Sequence, residues 1–225
     1  MKRSEINNAI RWAEQFVARN NIHRPDTASY SPDEWERIKD DAQTVFKTML
    51  GWDITDFGVG DCDRIGAVLY TVRNGLMSDS SVGVPYCEKY IIMKNGQRLP
   101  KHYHVFKSED IINRAGGVLE VYLWNADKDG HELSTDVVVY MDGVRRVFKP
   151  GEKIRVLNGN SISLTPYMAH IFGPEPGSGD LIVGEVSKVN DDNTDNYFME
   201  SVGRFPTIDE DEPKYRLLCT EYPHE

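Results

Sequence analysis

The chain has 225 residues and a mass of 25.7 kDa, which is enough for one large domain with a buried core. Its formal net charge of −10 disfavours nucleic-acid backbones and anionic membrane surfaces as partners. Three scattered cysteines disfavour a disulfide framework, and neither a signal-like segment nor a run of about 18 apolar residues is present, so we expect a reduced, cytoplasmic protein.

Two amphipathic helices are predicted ahead of the strands. The first covers residues 4–20, is capped by Ser4, and has apolar residues at helical spacing. The second runs from Ser31 to Gly51, and its opening S-P-D-E supplies a first-turn proline and a capping box. Each helix needs an apolar surface to cover, so we expect both to pack outside a sheet or against a partner subunit. Residues 1–52 are therefore expected to form an N-terminal helical extension.

The following region, residues 53–190, consists of short β-branched and aromatic runs between Gly, Asn and Asp turns. Many short strands with regular turn signals indicate an all-β sandwich or barrel. Asp142-Gly143 is the strongest hairpin turn. The predicted strands are Ala67–Val72, Tyr90–Met93, Val118–Trp124, Val137–Met141, Val144–Phe148, Lys153–Leu157, Ser161–Leu164 and Leu181–Val189.

The last segment, residues 191–225, is polar and acidic. Phe198 and Phe205 are its expected anchors. We expect it to wrap over the barrel as part of the same domain.

The clearest candidate site lies in residues 95–117, N-G-Q-R-L-P-K-H-Y-H-V-F-K-S-E-D-I-I-N-R-A-G-G. His102 and His104 are two residues apart, so both imidazoles project from the same face of an extended strand. Glu109 follows five residues later, far enough for the chain to return a carboxylate to that face. Two imidazoles and one carboxylate are a recurring way to hold a divalent metal with open positions. A solvated surface strand is the alternative, but the glutamate and the flanking glycines favour a metal site, with His170 as its fourth ligand.

A second stretch, G-N-S-I-S-L-T-P-Y-M-A-H at residues 159–170, supplies that histidine. Together the two stretches resemble the paired motifs of the cupin superfamily. The first motif, G-x5-H-x-H-x4-E-x6-G, is matched at every spacing by Gly96, His102, His104, Glu109 and Gly116. In the second motif, G-x5-P-x-G-x2-H-x3-N, Gly159 and His170 keep their places. Its proline, glycine and asparagine are replaced by Thr165, Tyr167 and Pro174. The alternative for His170 is a structural histidine at a strand end.

The cupin resemblance implies a double-stranded β-barrel, or jelly roll, with the two helices packed outside. It also implies a metal inside the wider mouth of the barrel, where motif strands from distant parts of the chain become neighbours. The ligand set of three imidazoles and one carboxylate suits manganese, iron, nickel, cobalt or zinc.

Polar residues on other predicted strands are candidates for acid/base chemistry. Glu120, Tyr122 and Trp124 share one strand face, where rings beside a carboxylate suit a polyol. Glu185 lies in an apolar strand, where an unpaired carboxylate is costly, and Lys89 precedes another strand. The alternative for each is an ion pair or a solvated strand face. Two glutamates and a lysine near a metal would form an acid/base set.

Over nearly its full length the chain resembles the D-lyxose ketol-isomerases of the cupin superfamily. The similarity rests on the motif pair, on S-P-D-E-W, and on the late stretches G-E-V-S-K-V-N-D-D-N-T-D-N and G-R-F-P-T-I-D-E-D-E. This resemblance implies a homodimeric enzyme that uses manganese to interconvert D-lyxose with D-xylulose and D-mannose with D-fructose.

The chemistry of such a reaction suggests roles for the candidate residues. We expect Glu120 or Glu185 to move a proton between C2 and C1 through a cis-enediol. Lys89 would stabilise the developing oxyanion or carry the hydroxyl proton. The expected sugar contacts are Tyr122, Trp124, Asp195 and Arg204. A 1,2-hydride shift is the competing route, and the alternative functions are an iron-dependent cupin dioxygenase and a non-catalytic sugar-binding cupin.

Overall fold

The structure is a computed structural model that describes residues 1–204 and 206–223. Its strands, in chain order, are β1 (Gly51–Thr55), β2 (Ala67–Gly75), β3 (Gly83–Met93), β4 (His102–Tyr103), β5 (Glu109–Gly116), β6 (Leu119–Asn125), β7 (Val137–Met141), β8 (Val144–Phe148), β9 (Ile154–Val156), β10 (Ser161–Leu164), β11 (Met168–Pro174), β12 (Leu181–Lys188) and β13 (Tyr197–Phe198). The predicted anchor Phe205 lies outside the described residues.

These strands form two antiparallel sheets. The large sheet has the order β1-β2-β3-β12-β5-β10-β7-β8, and the small sheet has the order β13-β4-β11-β6-β9. The barrel core lies between them, because side chains alternate along each strand and the inward set is apolar. Leu119, Val121 and Leu123 of β6 are buried in this core together with Val137 and Val139 of β7. The prediction of an all-β cupin barrel is confirmed.

Several strands agree closely with the sequence pattern. The hairpin β7–β8 has the predicted bounds, and its turn residues Asp142 and Gly143 have φ of 52° and 79°, as a type I′ turn requires. The extended strand expected at His102 is present as β4, but the sequence pattern missed β1, β5, β11 and β13. Of these, β5 carries Glu109 and β11 carries His170, and polar side chains interrupt the apolar pattern that marks a strand.

The first helix, α1 (Arg3–Arg19), packs on the outer face of the large sheet. Its stripe of Ile6, Ile10, Ala13 and Val17 is buried against apolar residues of β1, β2, β3 and β12. The predicted cap is wrong, because the helix begins at Arg3 and the Ser4 hydroxyl donates to Asp211 instead (2.7 Å). None of the helices in the described ranges has the length and apolar character needed to span a membrane.

The predicted second helix is divided into α2 (Pro32–Arg37) and α3 (Gln43–Lys47). Its start is as predicted, with Ser31 and Glu34 forming the capping box. Ile38 ends α2, and the following turn contains Asp40 and Asp41. Aspartate is a poor helix former, and acidic residues are unfavourable at the negative end of the helix dipole. A continuous helix to Gly51 is therefore wrong.

The N-terminal and C-terminal segments both join the barrel. The predicted border after residue 52 falls inside β1, which pairs with β2 in the large sheet. In the tail, β13 pairs with β4 of the small sheet, and Tyr222 packs against Trp35 of α2. The division of the chain into an extension, a barrel and a wrap stays a prediction.

Candidate active site

Three imidazoles and one carboxylate meet inside the barrel. In the small sheet His102 of β4 lies opposite His170 of β11, and His104 follows directly after β4. Ligating nitrogens of the three rings lie within 4.8 Å of one another. Glu109, the first residue of β5 in the large sheet, places Oε1 3.3 Å from His170 Nε2 and 3.5 Å from His104 Nε2. The structure thus brings together all four ligands that the motifs predict.

The backbone sets the tautomer of each ring. Every one of the three Nδ1 atoms is within hydrogen-bonding distance of a carbonyl oxygen, which can only accept. The Nδ1 atoms therefore carry the hydrogens, and the Nε2 atoms keep their lone pairs for a ligand. The pairs are His102 with Pro100 (2.9 Å), His104 with Asp195 (2.5 Å) and His170 with Met168 (3.0 Å).

The lone pairs of the atoms at the centre of this cluster are suited to bind a cation. His104 Nε2, His170 Nε2 and Glu109 Oε1 are buried and have no hydrogen-bond partner among the described residues. Buried acceptors that face one another at such distances are costly unless a positive charge lies between them. A divalent metal satisfies all three, so these residues fit the metal that the motifs imply.

Burial and neighbouring charges together favour the protonation states in which the predicted ligands can bind a metal. It lowers the pKa of His170 to about 4 and, together with the neighbouring imidazoles, lowers the pKa of His102 well below its ordinary value. Burial alone would raise the pKa of Glu109, but Lys107 and the imidazoles hold it well below the usual range. At neutral pH His102 and His170 are therefore neutral and the carboxyl is ionised.

A buried row of alternating charges begins beside the predicted metal ligands. Lys107 Nζ lies 3.0 Å from Glu109 Oε2 and 2.9 Å from Glu185 Oε1. On the other side of Glu185, Lys89 Nζ is 3.8 Å from Oε2 and 3.9 Å from Asp192 Oδ1. Burial would raise the pKa of Glu185, but Lys107 and Lys89 hold it below its ordinary value, so this carboxylate stays ionised.

Arg204 continues the same row. Its guanidinium lies 2.9 Å from Asp192 and 2.7 Å from Asp53 of β1. Although burial opposes ionisation, Arg204 and Lys89 hold the pKa of Asp192 well below its usual range. Paired in this way, the buried charges avoid the penalty of an isolated ion. Arg204 contacts the cavity, and its role as a sugar contact stays a prediction.

A small cavity of about 50 Å³ adjoins the site, and two of the four predicted ligands, His102 and Glu109, line it. Its walls combine charged and apolar residues. The charged residues are Lys89, Lys107, Glu109, Glu185, Asp192 and Arg204, and the apolar residues are Phe57, Leu69, Ile91, Leu99, Phe172 and Phe198. Such a volume holds only a few water-sized groups, so a larger ligand requires the wall to move. Residues 190–204, which we call the strap, contribute Asp192, Asn196, Phe198 and Arg204 to that wall.

Three of the predicted site residues lie on the wrong side of the small sheet. Leu123 lies opposite His170 in the β6–β11 pair, and residues opposite each other share a face. The alternating set Glu120, Tyr122 and Trp124 therefore points out of the barrel. Glu120 pairs there with Lys153 (2.5 Å) and accepts from the Tyr122 hydroxyl (2.6 Å). Trp124 packs under the ammonium of Lys101. Their predicted places in the pocket are wrong.

Asp195 is not available to a sugar either. Its Oδ1 accepts from the backbone N–H groups of Val105 and Phe106, and its Oδ2 accepts from that of Lys107. The prediction of a sugar contact is therefore corrected to a contact with the segment between His104 and Glu109.

Two charged residues of the cavity wall were missed from the sequence. Lys107 is two residues before Glu109, so period-2 alternation could have placed both on one face. Asp192 lies in the polar stretch N-D-D-N-T-D-N, where no local signal separates it from its neighbours. Lys89 and Glu185 do lie in the cavity wall as expected, directly opposite each other in the β3–β12 pair.

Comparisons with known proteins match this chain to sugar isomerases. A family model described as D-lyxose isomerase matches residues 1–222. The D-lyxose/D-mannose isomerase of Escherichia coli O157:H7 is 43% identical over 227 residues, covering 99% of this chain and 98% of that protein. The same-named protein of Serratia proteamaculans is 43% identical over 223 residues, with the same coverage. Among solved structures, the ligand-free L-ribose isomerase of Cellulomonas parahominis has a TM-score of 0.59 and 17% identity, covering 93% of this chain and 98% of that one. At that identity the likeness concerns the fold alone.

Proposed function

The chain belongs to the D-lyxose isomerase family and is a sugar isomerase, and on this premise we propose that it interconverts D-lyxose with D-xylulose and D-mannose with D-fructose in a metal-dependent reaction. One observation carries the metal dependence. Three buried atoms, His104 Nε2, His170 Nε2 and Glu109 Oε1, face one another without hydrogen-bond partners in the described part of the chain. Directly beside them lies the buried pair of Lys107 and Glu185, which can move or stabilise charge.

The four predicted ligands would hold the cation, for which we propose Mn²⁺. When bound, the cation supplies a Lewis acid that polarises the sugar carbonyl. The carbonyl contacts at the Nδ1 atoms keep the rings oriented, and the barrel strands keep them rigid.

Glu185 is the proposed base. It lies in the cavity wall, whereas Glu120 points out of the barrel. Its carboxylate takes the proton from C2 of the aldose while Lys107 donates a proton to the C1 oxygen, which gives a cis-enediol. The C2 hydroxyl then gives its proton to Lys107 as Glu185 returns its own to C1, which gives the ketose.

Two ammonium groups support this proton transfer. Lys107 Nζ contacts both Glu109 and Glu185, so it can donate to an oxygen that becomes negative between them. Lys89 contacts the other oxygen of Glu185 and keeps that carboxylate ionised and oriented.

The direct test is turnover by metal-stripped and reloaded protein. We expect conversion of D-lyxose and D-mannose after reloading with Mn²⁺, loss of turnover on chelation, and solvent deuterium at C2 of recovered aldose. Turnover without deuterium at C2 would replace the enediol with a hydride shift. Oxygen consumption by the iron-loaded protein without isomerisation would support a dioxygenase. Stabilisation by these sugars without turnover would support a sugar-binding protein. The family match and the curated relatives favour isomerase chemistry over both alternatives.

The proposal also includes a homodimer in the cytoplasm, which the family resemblance implies. Cys62, Cys87 and Cys219 are free thiols, which supports a reducing compartment. Sedimentation equilibrium of the purified protein would test the dimer.

A further inference from the structure

Asp195 accepts hydrogen bonds from four N–H donors, all of which belong to residues 104–107. Its Oδ1 accepts from Val105 N (2.9 Å) and Phe106 N (3.0 Å), and its Oδ2 accepts from Lys107 N (2.9 Å). Its backbone carbonyl oxygen accepts from His104 Nδ1. The Asp195 side chain is buried and belongs to the strap, whereas the donors belong to the connection between β4 and β5. Three consecutive backbone N–H groups that converge on one carboxylate form an anion-binding concavity, which this side chain fills.

The segment held in this way lies outside the strands of both sheets. Residues 105–107 lie between strands, so no sheet ladder holds their N–H groups. Yet Lys107 must place its Nζ within 3.0 Å of Glu109 and within 2.9 Å of Glu185. A shift of the Lys107 backbone would move the ammonium away from one or both carboxylates. Strands position Glu109 and Glu185, but Asp195 positions the lysine between them.

We propose that Asp195 is a positioning residue with two separable parts. Its carboxylate fixes the backbone at 105–107 and thereby Lys107, and its backbone carbonyl fixes the His104 ring for the metal. The first part rests on the proposed function, because it assigns Lys107 a share in turnover. The strap therefore contributes to the site in two ways: it lines the cavity, and it holds residues 105–107 in place.

The two parts predict different results for Asp195→Ala, which removes the carboxylate and keeps the carbonyl. Hydrogen exchange of the 105–107 amides should accelerate at least about tenfold. Binding of Mn²⁺ should stay at one ion per chain, because the His104 contact is to the backbone. The kcat for D-lyxose should fall about 10- to 100-fold, as expected for a misplaced group, and KM should change less.

A double-mutant cycle tests whether the effect passes through Lys107. If it does, Asp195→Ala combined with Lys107→Met should lose no more turnover than Lys107→Met alone. A double variant whose loss of turnover equals the product of the two single losses would overturn the proposal. Should the alanine variant fail to fold, Asp195→Asn serves instead, because it keeps the size and one acceptor oxygen and should show smaller changes in the same directions.

Asp191→Ala is the matched control. Asp191 is on the same strap, and among the described residues its carboxylate accepts hydrogen bonds only from Asn193 N and the Thr194 hydroxyl. It should leave exchange at 105–107 and kcat unchanged. Equal losses in both variants, or unchanged exchange in Asp195→Ala, would overturn the positioning role. If the parent protein binds Mn²⁺ but isomerises no sugar, the proposed function fails, while the exchange measurement still decides whether Asp195 holds the segment.

Discussion

Replacing Glu185 with glutamine should abolish most turnover while the fold and the metal site remain. The side chain keeps its size, and its amide oxygen can still accept from Lys107 (2.9 Å in the parent). Neither neighbouring ammonium loses its last carboxylate, because Lys107 keeps Glu109 at 3.0 Å and Lys89 keeps Asp192 at 3.9 Å. The change therefore removes the base without leaving an unpaired buried charge.

The expected magnitudes for this variant differ greatly between stability and catalysis. The charged acceptor becomes a neutral one, which weakens the bond to Lys107 and lowers the free energy of unfolding by about 1 kcal/mol. Loss of a general base costs about 10² to 10⁴ in rate, which corresponds to about 3–5 kcal/mol of transition-state stabilisation. Turnover should therefore fall far more than stability.

The assay compares Glu185→Gln with Glu120→Gln, which changes the glutamate on the outer face. Initial rates with D-lyxose and D-mannose are measured after metal analysis, together with deuterium uptake at C2 from heavy water. Glu120→Gln should retain parental turnover, because its partner Lys153 is on the outside of the barrel. A fully metallated Glu185→Gln within about tenfold of the parent would refute the assignment of the base. So would an equal loss in both variants.

Three further outcomes are expected. Burial lowers the pKa of His170 to about 4, whereas the unfolded chain binds that proton near pH 6.5. In the metal-free protein the contribution of His170 to the free energy of unfolding should therefore be complete above pH 6.5, and about 3 kcal/mol should be lost as the pH falls towards 4. Denaturant titrations at a series of pH values, with metal-loaded protein as control, measure this, and a free energy of unfolding that did not change with pH would contradict it. Gly116→Ala should lower Tm more than Gly96→Ala, because both glycines have positive φ (92° and 97°) but only at Gly116 would a Cβ collide with the Asp180 carbonyl; equal Tm values would refute the reasoning. Trp124→Ala should lose a cation–π contact of about 0.5–1 kcal/mol and keep parental kcat, and a large loss of kcat would return this face to the active site.

Most of the fold could be predicted from the sequence because the turn, stripe and cap signals along the chain agree with the structure that forms. The Asp142-Gly143 turn with its flanking strands, the apolar stripe of α1 and the capping box at Ser31 are each visible within a few residues. The continuous second helix was predicted wrongly because its apolar spacing persists through a turn. In that turn Ala42 still bonds back to the Ile38 carbonyl, so the same side of the chain stays buried.

The candidate metal ligands could be predicted from the sequence because their spacing is a property of the chain itself. His102 and His104 share a strand face by alternation, and the glycines of the motif mark the turns that bring Glu109 and His170 towards them. The amino-acid sequence by itself thus determined which residues are candidates to bind a cation and how they are spaced along the chain.

The tertiary structure alone decided which face of each strand points inward and which distant charges meet. Alternation divides the Glu120 strand into two faces, but only its pairing with β11 shows that the Leu123 face is inside. The contacts of Lys107 with Glu185 and of Asp195 with residues 105–107 join segments far apart in sequence. No local pattern encodes such contacts, because they depend on how the two sheets close around the core.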